Sequence, residues 1–269
     1  MKALSRKVRG YLNRPVAQGS QDVTFTGDYA SWADAEAQCT GYSAPVILER
    51  TRASLLKVKR GEAVFERDSV IFDKPQYSFP VLTGLLRAAL IDGGRLSVAD
   101  FGGSLGSSYF QFRKFLRGAT SLEWCVIEQA AHVRCGREHF EDEELRFFET
   151  MEDCVARHRS NVLLLSGVLQ CLPDPYAALA GLLAHRVPHV IIDRQAFLVT
   201  NRERLTVETV PEWIYPATYP AWFLSETRFV AALAAAGYSL VTDFAGADDV
   251  SPSGERAYFK GFIYDLASR

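Results

Sequence analysis

Short apolar runs alternate with helix-like stretches from about residue 78 to the end of the chain. Five of the runs are residues 96–101, 124–128, 145–148, 162–165 and 190–193. They are apolar almost throughout, as strands buried on both faces of a parallel sheet are. Two later runs, 238–244 and 257–264, have no helical pattern between them and predict an antiparallel hairpin. We therefore expect an α/β fold with a seven-stranded, mostly parallel sheet, helices on both faces and a C-terminal antiparallel hairpin.

The pattern also predicts how the chain is divided. Residues 1–77 are less regular, with scattered aromatic and turn residues, and are expected to form a mainly helical N-terminal extension or cap. Residues 78–269 are expected to form the main domain. Within it, residues 201–224 combine three prolines with several aromatic side chains. Because proline interrupts helices, we expect an aromatic loop there, inserted after the fifth strand.

Composition and charge exclude several classes of protein. The chain has 269 residues, 48% of them hydrophobic, and a formal net charge of -2. A disordered chain would be less apolar and more highly charged. A dedicated nucleic-acid binder would carry an excess of Lys and Arg, which is absent here. No apolar run approaches the roughly 18 residues that cross a bilayer, so no transmembrane segment is expected.

The cysteines and the start of the chain bear on the location of the protein. The five cysteines are an odd number, widely spread and without a C-x-x-C pair, which favours free thiols in a cytoplasmic protein. Residues 1–14 are basic and lack the apolar segment of a secretory signal. This start is either a solvated tail or a weak contact with an anionic membrane surface. The sequence is compatible with a homodimer and does not decide the oligomeric state.

One stretch at the end of the first predicted strand carries candidate chemistry: Asp100, Gly102, Gly103, Ser104 and Gly106. Glycines here let the backbone approach a ligand, and the following helix offers free N–H groups. The glycine register does not fit the G-x-G-x-x-G dinucleotide fingerprint, and no phosphate-binding P-loop is present. An acidic residue two positions before the first glycine does match the first motif of S-adenosylmethionine-dependent methyltransferases. A tight structural turn is the alternative.

Polar residues also follow the next three strands. Glu128 ends the second strand, where Rossmann-like folds place a carboxylate that binds both ribose hydroxyls, and Gln129 follows it. The third strand is followed by Glu149 and Thr150, where adenine-contacting groups are expected. Ser166 and Gly167 end the fourth. These residues in this order predict a cofactor site, although a carboxylate merely exposed at a strand end would look the same.

The sequence resembles a methyltransferase family that is commonly encoded in bacterial surface-polysaccharide and O-antigen gene clusters. The passages that carry the resemblance are 27–29 with Trp32, 66–69, 100–110, 126–129, 166–175, 193–194 and 210–224. The resemblance implies a Rossmann-like class I methyltransferase fold that uses S-adenosylmethionine and releases S-adenosylhomocysteine. It implies little about the acceptor. Ser104 departs from the general pattern, because it replaces the middle glycine of the first motif.

Candidates for acceptor chemistry follow the fifth strand. Asp193 is a candidate general base toward a sugar hydroxyl, and Arg194 a candidate ligand for a phosphate or carboxylate. A pair that only fixes the loop is the alternative. Tyr215, Tyr219 and Trp222 are candidates for a wall that stacks on a sugar or encloses the sulfonium. Plain packing of a proline-bent loop is equally compatible with the sequence.

These observations favour an S-adenosylmethionine-dependent methyltransferase acting on oxygen or nitrogen of a small-molecule or glycan acceptor. The alternative is a non-catalytic scaffold or regulatory module on the same fold in a glycan-assembly complex. A dinucleotide oxidoreductase is disfavoured by the broken glycine register. His132, Cys135 and His139 fall on one predicted helical face, but without an apparent fourth ligand we expect no metal site.

Overall fold

The computed structural model describes residues 22–41, 45–246 and 250–267. The basic segment 1–14 and residues 247–249 lie outside the described residues. The strands are β1 (Thr24–Tyr29), β2 (Phe65–Arg67), β3 (Val70–Phe72), β4 (Arg95–Phe101), β5 (Ser121–Ile127), β6 (Leu145–Phe148), β7 (Val162–Ser166), β8 (His189–Leu198), β9 (Arg204–Val210), β10 (Ala217–Phe223), β11 (Tyr238–Ala245) and β12 (Ala257–Leu266). The helices are α1 (Trp32–Glu36), α2 (Pro45–Lys59), α3 (Phe79–Ile91), α4 (Ser107–Phe112), α5 (Ala130–His139), α6 (Met151–Arg157), α7 (Pro175–Ala184) and α8 (Glu226–Ala235).

A seven-stranded sheet forms the centre of the molecule, in the order β11-β12-β8-β7-β4-β5-β6. Strands β4 to β8 are parallel, whereas β12 pairs antiparallel with β8 and β11 pairs antiparallel with β12. The strand order reverses between β4 and β7, as in a doubly wound, Rossmann-like sheet. The predicted fold class, including the C-terminal hairpin, is confirmed.

Each face of this sheet is covered by helices, as the continuous apolar runs predict. On one face, side chains of α3, α4 and α5 pack against Val98, Trp124 and Leu164. On the other face, α6, α7 and α8 pack against Ala99, Cys125 and Leu163. Neighbouring residues of one strand thus enter opposite cores, because successive side chains of a strand point to opposite faces.

A second sheet replaces the predicted aromatic loop at 201–224. It has three antiparallel strands in the order β1-β9-β10. The loop prediction is wrong because proline excludes a helix but not an edge strand. Pro220 lies within β10, which is an edge strand of this sheet. Edge strands tolerate proline, because one side of the strand forms no backbone hydrogen bonds with a neighbouring strand. Pro211 and Pro216 lie in the connection between β9 and β10.

The described part of residues 1–77 contains two helices and three strands. Strands β2 and β3 form a hairpin whose two central residues, Asp68 and Ser69, both have positive φ (51° and 69°). Positive φ at both positions is the geometry of a tight type I′ turn. Since β1 pairs with β9, this part of the chain shares a sheet with the segment after β8. The domain boundary at 77/78 stays a prediction.

None of the helices described is both long enough and apolar enough to span a membrane.

Candidate functional site

The glycine-rich segment forms a tight loop between β4 and α4. Gly102, Ser104 and Gly106 all have positive φ, at 74°, 55° and 93°. A Cβ atom on Gly102 would lie 2.3 Å from Cγ2 of Val168, so only glycine fits between the two loops. Ser104 takes the left-handed conformation that the middle glycine would take, which costs about 1–2 kcal/mol for a residue with a side chain. The substitution is therefore accommodated at an energetic cost.

Asp100 lies under this loop, only 1% exposed at the end of β4. Its Oδ2 atom accepts a hydrogen bond of 2.9 Å from Nε1 of Trp124. A Cβ atom on Gly103 would lie 2.5 Å from Cγ of Asp100, so the carboxyl group packs against the loop backbone. Burial raises the pKa of Asp100 to about 7; the Trp124 bond opposes this and the charge of Glu128 adds to it. Any contact with a ligand's ammonium stays a prediction.

Glu128 directly follows β5 and is half-buried beside the glycine-rich loop. Its Oε1 atom accepts a hydrogen bond of 3.3 Å from the backbone N–H of Ser104, and Oε2 accepts one of 2.8 Å from the N–H of Gln129. The carboxylate thus bridges the loop after β4 and the start of α5. A carboxylate has about four lone-pair sites, so capacity remains for two hydroxyl donors. Gln129 itself is exposed.

Glu149 and Thr150 follow β6 at the same edge of the sheet and are exposed. The Thr150 hydroxyl caps α6 by accepting a 3.1 Å hydrogen bond from the N–H of Asp153. Thr150 therefore has a structural task in this fold. A role of either residue toward adenine stays a prediction.

A bulge in β8 brings Arg194 to the end of β7. Asp193 and Arg194 stand opposite the single residue Gly261 of β12, and Arg194 has a φ of 55°. Bulges re-aim side chains and are common next to active sites. The guanidinium group lies over Gly167, where a Cβ atom would come within 2.9 Å of Nη2. Ser166 pairs with Asp193 in the same sheet, so the two predicted site regions meet here.

The guanidinium of Arg194 is held by Asp68 from the tip of the β2–β3 hairpin. Nη1 donates to Oδ2 at 2.5 Å and Nη2 to Oδ1 at 3.2 Å. Burial raises the pKa of Asp68, but the charge of Arg194 and its hydrogen bonds outweigh this, and the pKa lies below its usual value. Asp193 is buried, and its backbone carbonyl accepts from the N–H of Gly167.

Glu66 connects the same hairpin to the start of α4. It is 2% exposed; Oε1 accepts from the N–H of Ser69 at 2.7 Å, and Oε2 accepts from the Ser107 hydroxyl at 2.8 Å. Burial raises the pKa of Glu66 to about 7, and these hydrogen bonds only partly oppose the rise. The hairpin is thereby tied both to the helix after the glycine-rich loop and, through Asp68, to the bulge in β8.

Tyr215, in the connection between β9 and β10, and Tyr219 of β10 lie together in one buried cluster. Their hydroxyl oxygens are 3.4 Å apart, and the Tyr219 hydroxyl donates to Oε1 of Glu208 at 3.1 Å. Burial is the main reason that the pKa of Tyr215 is raised, and the charge of Asp68 adds to the rise. Trp222 does not join them: it packs with Leu205 and Val207, on the other side of β10.

The fold thus brings most of the predicted residues to the carboxyl edge of the parallel strands, in two groups. One lies around the glycine-rich loop and Glu128, and the other around Arg194 and the two tyrosines. Four residues that the sequence analysis did not single out are part of this region: Glu66, Asp68, Trp124 and Glu208. The only signal in the sequence was the passage 66–69, which carries part of the family resemblance. Nothing marked Trp124 or Glu208, because their roles depend on partners in other strands.

No group of three or more His, Cys, Asp or Glu side chains suited to a metal ion occurs within residues 22–41, 45–246 and 250–267.

No known family profile and no curated protein matches the sequence. Among solved structures, the glycopeptide N-methyltransferase MtfA in complex with S-adenosyl-L-methionine matches with a TM-score of 0.46 and 13% identity, covering 69% of this chain and 88% of that one. The N-terminal domain of EvdMO1 with S-adenosylhomocysteine bound matches with a TM-score of 0.44 and 14% identity, covering 81% and 97%. A SAM-dependent methyltransferase from Methanosarcina mazei matches with a TM-score of 0.46 and 11% identity, covering 67% and 98%.

Proposed function

We propose that this protein is an S-adenosylmethionine-dependent methyltransferase. The observation that carries the proposal is the position of Glu128, whose carboxylate is fixed against the glycine-rich loop by the N–H of Ser104. A half-buried carboxylate at the end of the second parallel strand, with lone pairs to spare, fits a ribose diol. The tight loop beside it allows close approach of a ligand to the backbone.

The residues of the site also fit the charge of this cofactor. When bound, S-adenosylmethionine supplies an electrophilic methyl group on a positively charged sulfonium. Asp100 and Glu128 are carboxyl groups beneath and beside the loop, and a cation nearby favours their ionised forms. In this proposal, Gly102, Gly103, Ser104, Gly106, Ser166 and Gly167 form the rim of the cofactor site, with Gln129, Glu149 and Thr150 toward the adenosine end.

The acceptor side is assigned to Asp193, Arg194, Tyr215 and Tyr219, which adjoin that rim. Methyl transfer needs mainly orientation and exclusion of water, and the buried tyrosines supply both. The aromatic side chains suit a sugar ring. We therefore propose an oxygen or nitrogen atom of a sugar or glycan precursor as the acceptor, in cytoplasmic steps of bacterial surface-polysaccharide synthesis.

Isothermal titration calorimetry with S-adenosylmethionine and S-adenosylhomocysteine tests the cofactor. We expect both to bind the wild type, and Gly102→Ala to abolish binding because its Cβ would collide with Val168. Gly93→Ala is the matched control: Gly93 also has positive φ, but no atom lies within 4 Å of its Cβ position. This control should bind like the wild type. A wild-type protein that binds neither compound contradicts the proposal.

The acceptor class is tested by mass spectrometry of the surface glycan from host cells with and without the gene. We expect the deletion to remove one methyl group from a sugar unit. An unchanged glycan in the deletion strain, together with confirmed cofactor binding, contradicts the acceptor and leaves the methyltransferase proposal intact.

A further inference from the structure

Two side chains of the second sheet and one from the connection between β9 and β10 form a continuous hydrogen-bonded chain. The hydroxyl of Tyr219 donates to Oε1 of Glu208, and the hydroxyl oxygen of Tyr215 lies 3.4 Å from that of Tyr219. Because the Tyr219 proton is directed at Glu208, Tyr215 is the donor of the second bond. The Tyr215 oxygen then keeps lone pairs that can accept a hydrogen bond from another hydroxyl group.

The chain begins beside the proposed cofactor rim. Tyr215 and Tyr219 pack in one cluster with Ile47, and Cys171 packs against that cluster. Cys171 ends the 3₁₀ turn that follows Gly167, so the tyrosines adjoin the carboxyl end of β7. Both tyrosines are largely buried, at 6% and 5% exposure.

The chain ends at a group that can release a proton to solvent. Glu208 lies on β9, the middle strand of the second sheet, directly opposite Tyr219. It is only half-buried, unlike the two tyrosines. The path therefore runs from a buried phenol to a partly solvated carboxylate.

We propose that Tyr215, Tyr219 and Glu208 relay the proton that the acceptor's hydroxyl group loses during methyl transfer. The inference rests on the proposed function. As the acceptor oxygen's lone pair forms the new O–CH₃ bond, the S–CH₃ bond breaks and its electron pair stays on sulfur. The hydroxyl proton passes to the Tyr215 oxygen, the Tyr215 proton to Tyr219, and the Tyr219 proton to Glu208, which becomes a neutral acid. Tyr215 is the catalytic residue, and Tyr219 and Glu208 act through it.

This relay implies that the reacting group of the acceptor is a hydroxyl group rather than an amine, and that no anionic group lies next to it. A neutral amine can attack the methyl group before it loses a proton, so it does not need a base. A hydroxyl group becomes a better nucleophile when a base accepts its proton during the attack. An acceptor whose reacting end carries a phosphate or carboxylate would meet the negative charge of Glu208. The guanidinium of Arg194 compensates only in part, because its positive charge is already paired with the carboxylate of Asp68.

Glu208→Gln tests the relay, with Glu212→Gln as the matched control in the exposed turn between β9 and β10. The assay is transfer of tritiated methyl from S-adenosylmethionine to the glycan-precursor fraction of a gene-deletion strain. We expect Glu208→Gln to lower kcat about 100-fold or more, as loss of a general base does, with KM for the cofactor unchanged. We expect Glu208→Asp to restore part of the activity.

Calorimetry with S-adenosylhomocysteine on every variant separates the two proposals. A wild-type protein that does not bind this compound contradicts the proposed function. Unchanged Kd with full methyl transfer by Glu208→Gln overturns the relay alone. If Glu208→Gln loses its near-ultraviolet circular dichroism, Tyr215→Phe decides the matter: it preserves the ring, and normal turnover by this variant also overturns the relay.

Discussion

Two buried carboxyl groups, Asp100 and Glu66, lie on either side of the glycine-rich loop. Both have a pKa raised to about 7, chiefly because burial disfavours the charged form. Each also accepts hydrogen bonds from protein donors: Asp100 from Trp124, and Glu66 from Ser69 and Ser107. A buried carboxyl group with a raised pKa destabilises the native state once the pH is high enough to ionise it. Residues with strongly shifted pKa values are also frequent at functional sites.

Glu66→Gln should stabilise the protein increasingly as the pH rises. Wild-type Glu66 ionises near pH 4.5 when unfolded and near pH 7 when folded, so the native state binds more protons in this interval. Wild-type stability therefore falls from about pH 4.5 to pH 7, and the glutamine variant avoids this loss. We expect a gain of about 1–3 kcal/mol in the free energy of unfolding at pH 8 and little gain at pH 4.5.

Urea unfolding at the two pH values measures this difference. Glu62→Gln, at an exposed position four residues earlier, is the control and should show no such trend. A difference between wild type and Glu66→Gln that does not grow with pH contradicts the assignment of Glu66 as a buried acid.

At the scale of elements, the site depends on two irregular features rather than on the regular strands. The bulge in β8 turns Arg194 over Gly167, and the β2–β3 hairpin brings Asp68 to meet it. Both features use left-handed residues other than glycine, namely Arg194, Asp68 and Ser69. Such conformations cost about 1–3 kcal/mol each and persist where the surrounding contacts hold them.

Gly261→Ala should destabilise the protein by about 1–3 kcal/mol, as overpacking of a filled core does. Gly261 stands opposite the bulge, and its Cβ atom would lie 2.1 Å from Phe244 Cζ and 2.8 Å from the carbonyl oxygen of Ile192. The backbone oxygen cannot move without shifting β8 itself. Arg194 should be displaced together with the bulge.

Gly181→Ala is the opposite case in the same experiment. Gly181 lies inside α7, and no atom is within 4 Å of its Cβ position. Alanine there should stabilise the protein by about 0.5–1 kcal/mol. Urea denaturation of both variants checks the pair; equal effects would show that the packing around Gly261 is not tight.

At the scale of the whole molecule, the described N-terminal residues, 22–41 and 45–77, share a sheet and buried side-chain contacts with the rest of the chain. Phe25 of β1 packs edge-to-face against Phe223 of β10, with 5.0 Å between the ring centroids. Ile47 of α2 packs in the cluster of Tyr215 and Tyr219. Together with the bond from Ser107 to Glu66, these contacts join the first strand, second helix and first hairpin to the candidate site.

A fragment containing only residues 78–269 should therefore fail to fold cooperatively. It would lack β1, which pairs with β9, and would expose the apolar side of the second sheet. We expect aggregation on size-exclusion chromatography and no sharp thermal transition, in contrast to the full chain. A fragment that melts cooperatively near the temperature of the full chain would instead support the predicted domain boundary at 77/78.

The main sheet and the location of the proposed cofactor site were determined by the sequence itself. A strand that is buried on both faces is apolar at nearly every position, so it can be recognised as a continuous apolar run such as residues 162–165. The positions of Glu128 and the loop from Gly102 to Gly106 follow from the same pattern, since carboxyl ends of parallel strands share one edge. These features need only neighbouring residues to be recognised.

Tertiary structure alone decided which residues surround the proposed acceptor side. The Asp68–Arg194 pair joins residues 126 positions apart. The Tyr219–Glu208 bond depends on the register of β9 and β10, two strands that the sequence analysis predicted as a loop because of their prolines. Trp124 is an ordinary core residue in the sequence, and only the pairing of β4 with β5 brings its N–H to Asp100. Contacts between distant segments leave no periodic signal along the chain, which is why this part of the site had to come from the fold.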